Sequence, residues 1–160
     1  MQNKIIPLSF LLICGVANAN ETVTGKIIKI SDGDTLTILV SKKQMKIRLA
    51  EIDCPEKNQP YGKIAKKALS ELAFSKIASI KPVTIDRYKR TVGTVFIDGL
   101  NVNKELVKTG NCWVYRKYSK DKDMIELEDT AKQAKIGLWG LPEQQRIPPW
   151  EFRRLRRRKK

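Results

Sequence analysis

Three consecutive segments rich in valine, isoleucine and threonine most constrain the fold of this chain. They are TVTGKIIKI (22–30), DTLTILV (34–40) and KQMKIRLAEI (43–52), and only short polar breaks separate them. β-Branched residues favour extended backbone, and breaks such as Asp32-Gly33 and Ser41-Lys42-Lys43 are typical of tight turns. The pattern therefore predicts three successive strands in an antiparallel series.

The rest of the chain alternates helical and extended patterns. An amphipathic helix is predicted at 61–78, with Ile64, Ala68, Leu72 and Ala73 on one face. Further elements are predicted in this order: strands at 82–86 and 91–98, a short helix at 101–110, a strand at 112–115 and a helix at 122–136. This order favours an α+β, mainly β fold, a five-stranded Greek-key barrel of the OB type with about three helices.

The two ends differ in composition from the middle. Residues 1–19 combine Lys4, an apolar run too short to span a bilayer and the Ala17-Asn18-Ala19 cleavage pattern, which indicates an export signal. We therefore expect an exported protein, periplasmic or secreted, with no transmembrane segment in its mature form. The main domain is predicted at 20–140, and 141–160 is predicted to be a proline-containing wrap, anchored by Trp150, and then a basic tail. The last ten residues hold seven bases and one acid, so we expect a solvated, disordered arm.

Composition limits the chemistry that the chain can perform. The formal net charge is +15, which favours a polyanionic partner, either nucleic acid or an anionic membrane surface. The chain contains no histidine, which excludes Ser-His-Asp and Cys-His nucleophiles and histidine-bound metals. Cys54 and Cys112 are the two cysteines of the mature chain, and they are either a disulfide or two buried thiols.

Acidic and arginine residues stand at the ends of the predicted strands. Asp32-Gly33-Asp34 and Asp53 could together supply hard oxygen ligands to a cation such as Ca²⁺. Arg48 and Arg90 could bind a phosphodiester, because a guanidinium group meets phosphate with two parallel hydrogen bonds. Glu56 is the natural candidate to activate or orient a water, since no imidazole is available.

Five motifs in this order resemble the staphylococcal-nuclease-like (thermonuclease) family. They are DGDT (32–35), RLAEIDCPE (48–56), DRYKR (86–90), NVNKELVKTG (101–110) and AKIGLW (134–139). The resemblance implies a Ca²⁺-dependent endonuclease that cleaves DNA and RNA to 3′-phosphorylated products. Nothing in the sequence implies a stable protein partner, and we expect a monomer.

The resemblance also implies roles for individual residues. Asp34, Asp53 and the backbone carbonyl of Cys54 would bind Ca²⁺, with Asp32 one layer behind them. Arg48 and Arg90 would clamp the phosphate while Glu56 acts on the water. The nucleic acid would be contacted by Arg87, Tyr88, Tyr115 and Tyr118.

The sequence departs from the family pattern at three positions. Lys89 stands where the family commonly has glycine, and a left-handed backbone there would cost roughly 1 kcal/mol. Cys54 replaces a common threonine, and Arg116 replaces one of the nucleotide-binding tyrosines. Two other functions remain open at this point: a non-catalytic OB-type nucleic-acid binder and a cationic membrane-active protein.

Overall fold

The computed structural model describes residues 21–158, so the predicted export signal lies outside the described residues. The strands are β1 (Val23–Asp32), β2 (Thr35–Val40), β3 (Lys43–Leu49), β4 (Ile52–Asp53), β5 (Ile77–Ile85), β6 (Thr91–Ile97), β7 (Leu100–Asn101) and β8 (Trp113–Val114). The helices are α1 (Gly62–Ala73), α2 (Val102–Lys108), α3 (Lys122–Gln133) and α4 (Pro149–Arg158), with two short 3₁₀ helices at Gly137–Gly140 and Glu143–Gln145.

Five strands close into a barrel in the order β3-β2-β1-β5-β6. Each neighbouring pair along this order is antiparallel, and a parallel pairing of β3 with β6 completes the circle. That closure sets Arg48 beside Val92 and Leu49 beside Gly93. The predicted mainly β, five-stranded OB-type barrel is confirmed. β4 and β8 form a separate antiparallel pair beside it.

Alternating side chains of the barrel strands fill one core. Ile27, Leu36, Ile38, Ile47 and Ile80 are fully buried inside the barrel. Each such side chain contributes about 1.5–3 kcal/mol to folding when it leaves water. The barrel is therefore a rigid frame, and the turns at its ends hold the polar side chains described below.

Helix α1 is shorter than predicted and buries a different face. It ends at Ala73, because Ser75 has a left-handed backbone (φ 66°) and Ile77 begins strand β5. The pairing of β5 with β1 takes up residues 77–80, and the predicted helix included the first two of them. Ile64, predicted on the inner face, is 51% exposed. The helix packs instead through Ala65 and Leu69 together with the predicted Ala73, whereas the predicted Ala68 and Leu72 are only partly buried.

Strand β5 begins at Ile77, five residues before the predicted strand at 82–86, whereas the later predicted elements lie near their predicted positions but are shorter. The predicted strand at 112–115 is only the two-residue β8, and α3 ends at Gln133 rather than at 136. Met124 and Ala131 are buried on α3. Glu128 is also buried there, where it accepts hydrogen bonds from the backbone N–H of Val114 and from Arg116.

The prediction of a disordered basic arm is wrong for the described part of the tail, because residues 149–158 form helix α4. Pro149 is its first residue, where a proline preset to a helical φ is favourable. Trp150 stacks on Tyr115 with ring centroids 5.2 Å apart and meets Trp113 edge-on, which is the predicted anchor. The aromatic packing of Trp150 and the ion pairs of Arg153 with Asp53 and Glu56 hold this helix against the rest of the protein. Across the described range, no helix combines the length and the apolar character that crossing a membrane requires.

Cys54 and Cys112 form a disulfide, which decides between the two alternatives that the sequence left open. The bond joins the segment after β4 to the segment before β8, 58 residues apart in sequence. Gly33 permits the β1–β2 turn to lie against this bond, because a Cβ at that position would come within 2.9 Å of the Cys54 Cβ. The disulfide and the turn are therefore packed as one unit.

We expect replacement of both cysteines by serine to lower the free energy of unfolding by about 3–4 kcal/mol, since the closed loop is long. Urea unfolding monitored by tryptophan fluorescence measures this difference. A reductant should destabilise the native chain by a similar amount and leave the double variant unchanged. Equal stability of the native chain with and without reductant would contradict the prediction.

Candidate active site

Arg48 joins the two aspartates that the sequence predicts as cation ligands. It lies on β3 opposite Thr35, so the strand register brings its side chain next to Asp34. Its Nη2 is 3.1 Å from Asp34 Oδ2 and 3.0 Å from Asp53 Oδ1. Its Nη1 donates to the carbonyl oxygens of Leu49 and Ile52, which fixes the guanidinium plane.

Asp34 is held by its neighbours as well as by Arg48. Its Oδ2 accepts a hydrogen bond of 3.0 Å from the backbone N–H of Cys54, and its Oδ1 accepts one from the Thr35 hydroxyl. Asp34 is 7% exposed and Asp53 is fully buried. Two carboxylates at this depth require cationic partners, because an unpaired buried charge is very costly.

Glu56 lies beside Asp53 at the start of an irregular segment. One guanidinium group contacts both carboxylates, and it belongs to Arg153 of α4. Arg153 Nη1 is 2.7 Å from Glu56 Oε1 and 3.1 Å from Asp53 Oδ1, and Nη2 is 2.7 Å from Asp53 Oδ2. Burial acts to lower the pKa of Arg153, but Asp53 and Glu56 outweigh it and raise that pKa above its ordinary value. Burial raises the pKa of Asp53, although Arg153 and Arg48 act against it.

Arg90 approaches the same end of the barrel from the turn that joins β5 to β6. Its Nη1 is 3.5 Å from the Thr35 hydroxyl, next to Asp34 in the chain. Its Nε and Nη2 both bind Asp86 Oδ2 at 2.7 Å. Burial acts to raise the pKa of Asp86, but hydrogen bonds from Arg90 and Tyr88 outweigh it and hold that pKa below its ordinary value. Arg90 and Arg48 thus both lie next to Thr35.

Asp32 belongs to the same acidic cluster. Burial is the main reason that its pKa rises from 3.8 to about 6, and the charges of Asp34 and Glu56 raise it further. The hydrogen bond from the Gly33 N–H to Asp32 opposes this change. The folded protein therefore binds a proton at Asp32 more tightly than the unfolded chain does.

The predicted nucleic-acid-binding residues fall into two groups. Arg87 and Tyr88 lie in the β5–β6 turn, where Tyr88 is 64% exposed and the Arg87 guanidinium lies 4.8 Å from its ring centroid. Tyr115 and Tyr118 follow β8 and pack edge-to-face. Tyr118 is 64% exposed, whereas one face of Tyr115 stacks on Trp150.

The donor chemistry of this cluster suits a hard divalent cation. Asp34, Asp53 and the carbonyl of Cys54 offer oxygen atoms only, which is the preference of Ca²⁺. Between residues 21 and 158, however, no three Asp, Glu, Cys or His side chains converge closely enough to hold a metal ion. Guanidinium groups span the gaps between the carboxylates instead.

Sequence reasoning missed Arg153 as a member of this cluster. A run of arginines is usually solvated, so the sequence predicts a disordered arm for the whole run. The available signal was the preceding Pro148-Pro149-Trp150, which combines a favourable helix start with an aromatic anchor. Arg153 lies about one helical turn after Trp150.

The barrel and its cluster of carboxylates and arginines define an OB-type protein with a site suited to a phosphate group and a cation. A family model described as "Staphylococcal nuclease homologue" matches residues 46–140. An "Uncharacterized endonuclease" of Haemophilus influenzae is 41% identical over 96% of this chain and 87% of its own length. A "Micrococcal nuclease" of Shigella flexneri is 36% identical over 81% of this chain and 80% of its own length.

The chain belongs to the family of staphylococcal nuclease homologues. It is therefore a nuclease, a hydrolase whose substrate is nucleic acid. Family membership confirms the resemblance that the five motifs indicate. It favours this function over the non-catalytic binder and the membrane-active protein.

Lys89 has the left-handed backbone that the family's glycine suggested, with φ of 59°. We expect Lys89→Gly to raise the free energy of unfolding by about 0.5–1 kcal/mol, because glycine adopts this conformation without steric cost. Lys120→Gly is the matched control, since Lys120 is exposed, lies outside helices and strands and lacks a positive φ. Lys120→Gly should instead lower the free energy of unfolding by a similar amount, because glycine gives the unfolded chain more conformational freedom. Urea unfolding measures the stability of both variants. An equal decrease in the free energy of unfolding for Lys89→Gly and Lys120→Gly would contradict the prediction.

Asp32 makes the stability of the chelator-treated protein depend on pH. Because its pKa is raised on folding, its stabilising contribution is complete below 3.8 and is lost as the pH rises through about 6. Asp32→Asn does not titrate, so its melting temperature should rise relative to the native chain from about pH 4 to about pH 7. Thermal unfolding in excess chelator measures the difference, and a constant difference over this range would contradict the prediction.

Proposed function

We propose that the protein is an exported, Ca²⁺-dependent, sugar-nonspecific endonuclease that hydrolyses DNA and RNA to 3′-phosphorylated products. The observation that carries the proposal is the meeting of Arg48, Asp34 and Asp53 at the barrel end where Glu56 and Arg90 also lie. These residue types serve phosphodiester hydrolysis without histidine. The nuclease class of the family gives the reaction its general type.

Arg48 and Arg90 would bind the scissile phosphate from two sides. Both guanidinium groups lie near Thr35, Arg48 through the strand register and Arg90 through its 3.5 Å approach. Bidentate guanidinium contacts strengthen as negative charge accumulates on the phosphate oxygens in the transition state. Arg48 would exchange part of its contact with the aspartates for the phosphate, and Arg90 part of its contact with Asp86.

Glu56 would accept a proton from the attacking water or orient that water. The water oxygen forms a bond to phosphorus while the bond from phosphorus to the 5′ oxygen breaks. The 5′ oxygen takes a proton from solvent and leaves as a hydroxyl, and the phosphate remains on the 3′ side. Asp34, Asp53 and the Cys54 carbonyl would hold the cation, which when bound supplies positive charge to the phosphate oxygens.

The absence of sugar preference is inferred from the type of group at the site. The arginines and the cation address phosphate, which DNA and RNA share. The exposed Tyr88 and Tyr118 offer ring faces, which stack on any base. Export is supported by the signal pattern at 1–19 and by the disulfide, which is typical of oxidising compartments.

The purified protein should cleave single-stranded DNA, duplex DNA and RNA when Ca²⁺ is present and stop when a chelator is added. Fragment ends analysed by mass spectrometry should carry 3′-phosphate and 5′-hydroxyl groups. Cleavage that persists in chelator, or products with 5′-phosphate, would contradict the proposal.

Glu56→Gln should lower kcat by about 10²–10⁴-fold while nucleic-acid affinity changes little, because the lost group acts on the water and not on the phosphate. Glu71→Gln, at an exposed carboxylate on α1 paired with Lys67, is the matched control and should retain full activity. Steady-state cleavage and filter binding measure the two quantities. Full cleavage by Glu56→Gln would remove Glu56 from the mechanism.

A further inference from the structure

Helix α4 is fixed against the active-site segment at two points before it reaches the carboxylates. Trp150 stacks on Tyr115 with an interplanar angle of 3°. The side-chain amide of Gln59 donates a hydrogen bond to the Ile147 carbonyl, just before the helix. Gln59 Oε1 also accepts from the backbone N–H of Glu56. The same side chain therefore links the C-terminal segment to the residue that bears the proposed catalytic carboxylate.

Arg153 then reaches from this anchored helix to two carboxylates at once. Its Nη1 binds Glu56 Oε1 and Asp53 Oδ1, and its Nη2 binds Asp53 Oδ2. Because a guanidinium group is planar and rigid, contacts to two carboxylates fix one relative to the other. Its side chain is 34% exposed, so the contact lies at the open edge of the cluster.

We propose that Arg153 is a positioning residue of the nuclease site, which holds the Glu56 carboxylate at a fixed place and orientation relative to Asp53. This inference rests on the proposed function, because it assigns Arg153 to the step in which Glu56 acts on water. It makes the C-terminal helix a part of the active site.

Glu56 needs such a partner because of where it lies in the fold. It follows β4 in a segment without helix or strand, and its side chain is 30% exposed. A glutamate side chain in that setting has up to about 2 kcal/mol of rotamer freedom to lose. Within the described range, Arg153 provides the sole hydrogen-bond partner of the Glu56 carboxylate. That contact uses Oε1 and leaves Oε2 available to accept a proton.

Charge gives a second reason for an arginine at this position. Asp53 and Glu56 share a guanidinium group, and Asp34 is joined to Asp53 through Arg48. Without Arg153, Asp53 and Glu56 would repel each other, and Glu56 would turn toward solvent. A single cation bound to both acids offsets that repulsion and keeps both near the place of the phosphate.

The same contacts allow an opposite role, in which α4 is a cap that competes with the metal for Asp53. The two roles differ in sign. A cap slows the reaction and must leave when Ca²⁺ binds, whereas a positioning residue speeds the reaction and stays. Arg153 makes two contacts with Asp53 and one with Glu56. We argue for positioning because the Glu56 contact, at 2.7 Å, is as short as the shorter Asp53 contact, and a cap over the proposed ligand set would not need it.

The first experiment compares Arg153→Ala with Arg154→Ala in the full chain at saturating Ca²⁺. Arg154 is the exposed neighbour on the same helix and serves as the matched control. Arg153→Ala should lower kcat by about 10²-fold, the typical effect of misplacing a catalytic group, and change KM much less. Arg154→Ala should keep the native kcat. A kcat for Arg153→Ala equal to or above the native value would overturn the inference.

Chemical rescue separates positioning from general stability. Added guanidinium ion at millimolar concentration should restore part of the kcat of Arg153→Ala, because it can occupy the place between Asp53 and Glu56. Urea, which has a similar shape and no charge, should not. If Arg153→Ala does not fold, Arg153→Lys decides the question, since an ammonium group restores the charge without the two-pronged geometry. A native kcat in Arg153→Lys, or equal rescue by urea, would overturn the inference.

Hydrogen exchange of the native chain gives a readout that does not depend on activity. Amide protection across 149–158 should be unchanged or greater when Ca²⁺ is added. Loss of protection in that range would show that α4 leaves and would support the cap instead. A native chain that cleaves no nucleic acid with any divalent cation would overturn the proposed function itself, a result distinct from an active native chain with an unimpaired Arg153→Ala.

Discussion

The burial of Asp53 is the constraint on which the rest of the site depends. A fully buried carboxylate must be paired, and here two guanidinium groups pair it from different parts of the chain. Arg48 comes from the closed barrel and Arg153 from the C-terminal helix. The barrel end, the irregular segment after β4 and α4 are therefore coupled through one side chain. Removing either arginine leaves a buried charge with half of its compensation.

Closure of the barrel positions the two arginines that are proposed to bind the phosphate. The parallel pairing of β3 with β6 sets Arg48 beside Val92, two residues after Arg90. Both arginines thus approach Thr35 because of backbone register, and their placement does not depend on long loops. The turn at Gly33 and the Cys54 N–H then fix Asp34 from the opposite side. A rigid frame of this kind suits a site that must hold charges at short range.

Local sequence patterns predict those features of the fold that depend on residues close together in the chain. The strand-rich start, the Asp32-Gly33 turn and the barrel could be predicted, because β-branched runs and turn residues act over a few positions. The end of α1 could not, since pairing with β1 overrides the helical pattern at 77–78. Arg153 was missed for a similar reason. Its environment is set by carboxylates about a hundred positions away, and sequence composition shows only a basic run.

The disulfide ties one of the proposed cation ligands to the redox state of the surroundings. Cys54 donates its backbone N–H to Asp34, its side chain is bonded to Cys112, and in the proposed function its carbonyl would bind the cation. In a reducing compartment that covalent link would be absent, and the segment carrying Asp53, Cys54 and Glu56 would be held by weaker contacts alone. A chain that has not yet been oxidised would then be a less well assembled nuclease than the finished molecule. Oxidation would complete the site as well as strengthen the fold.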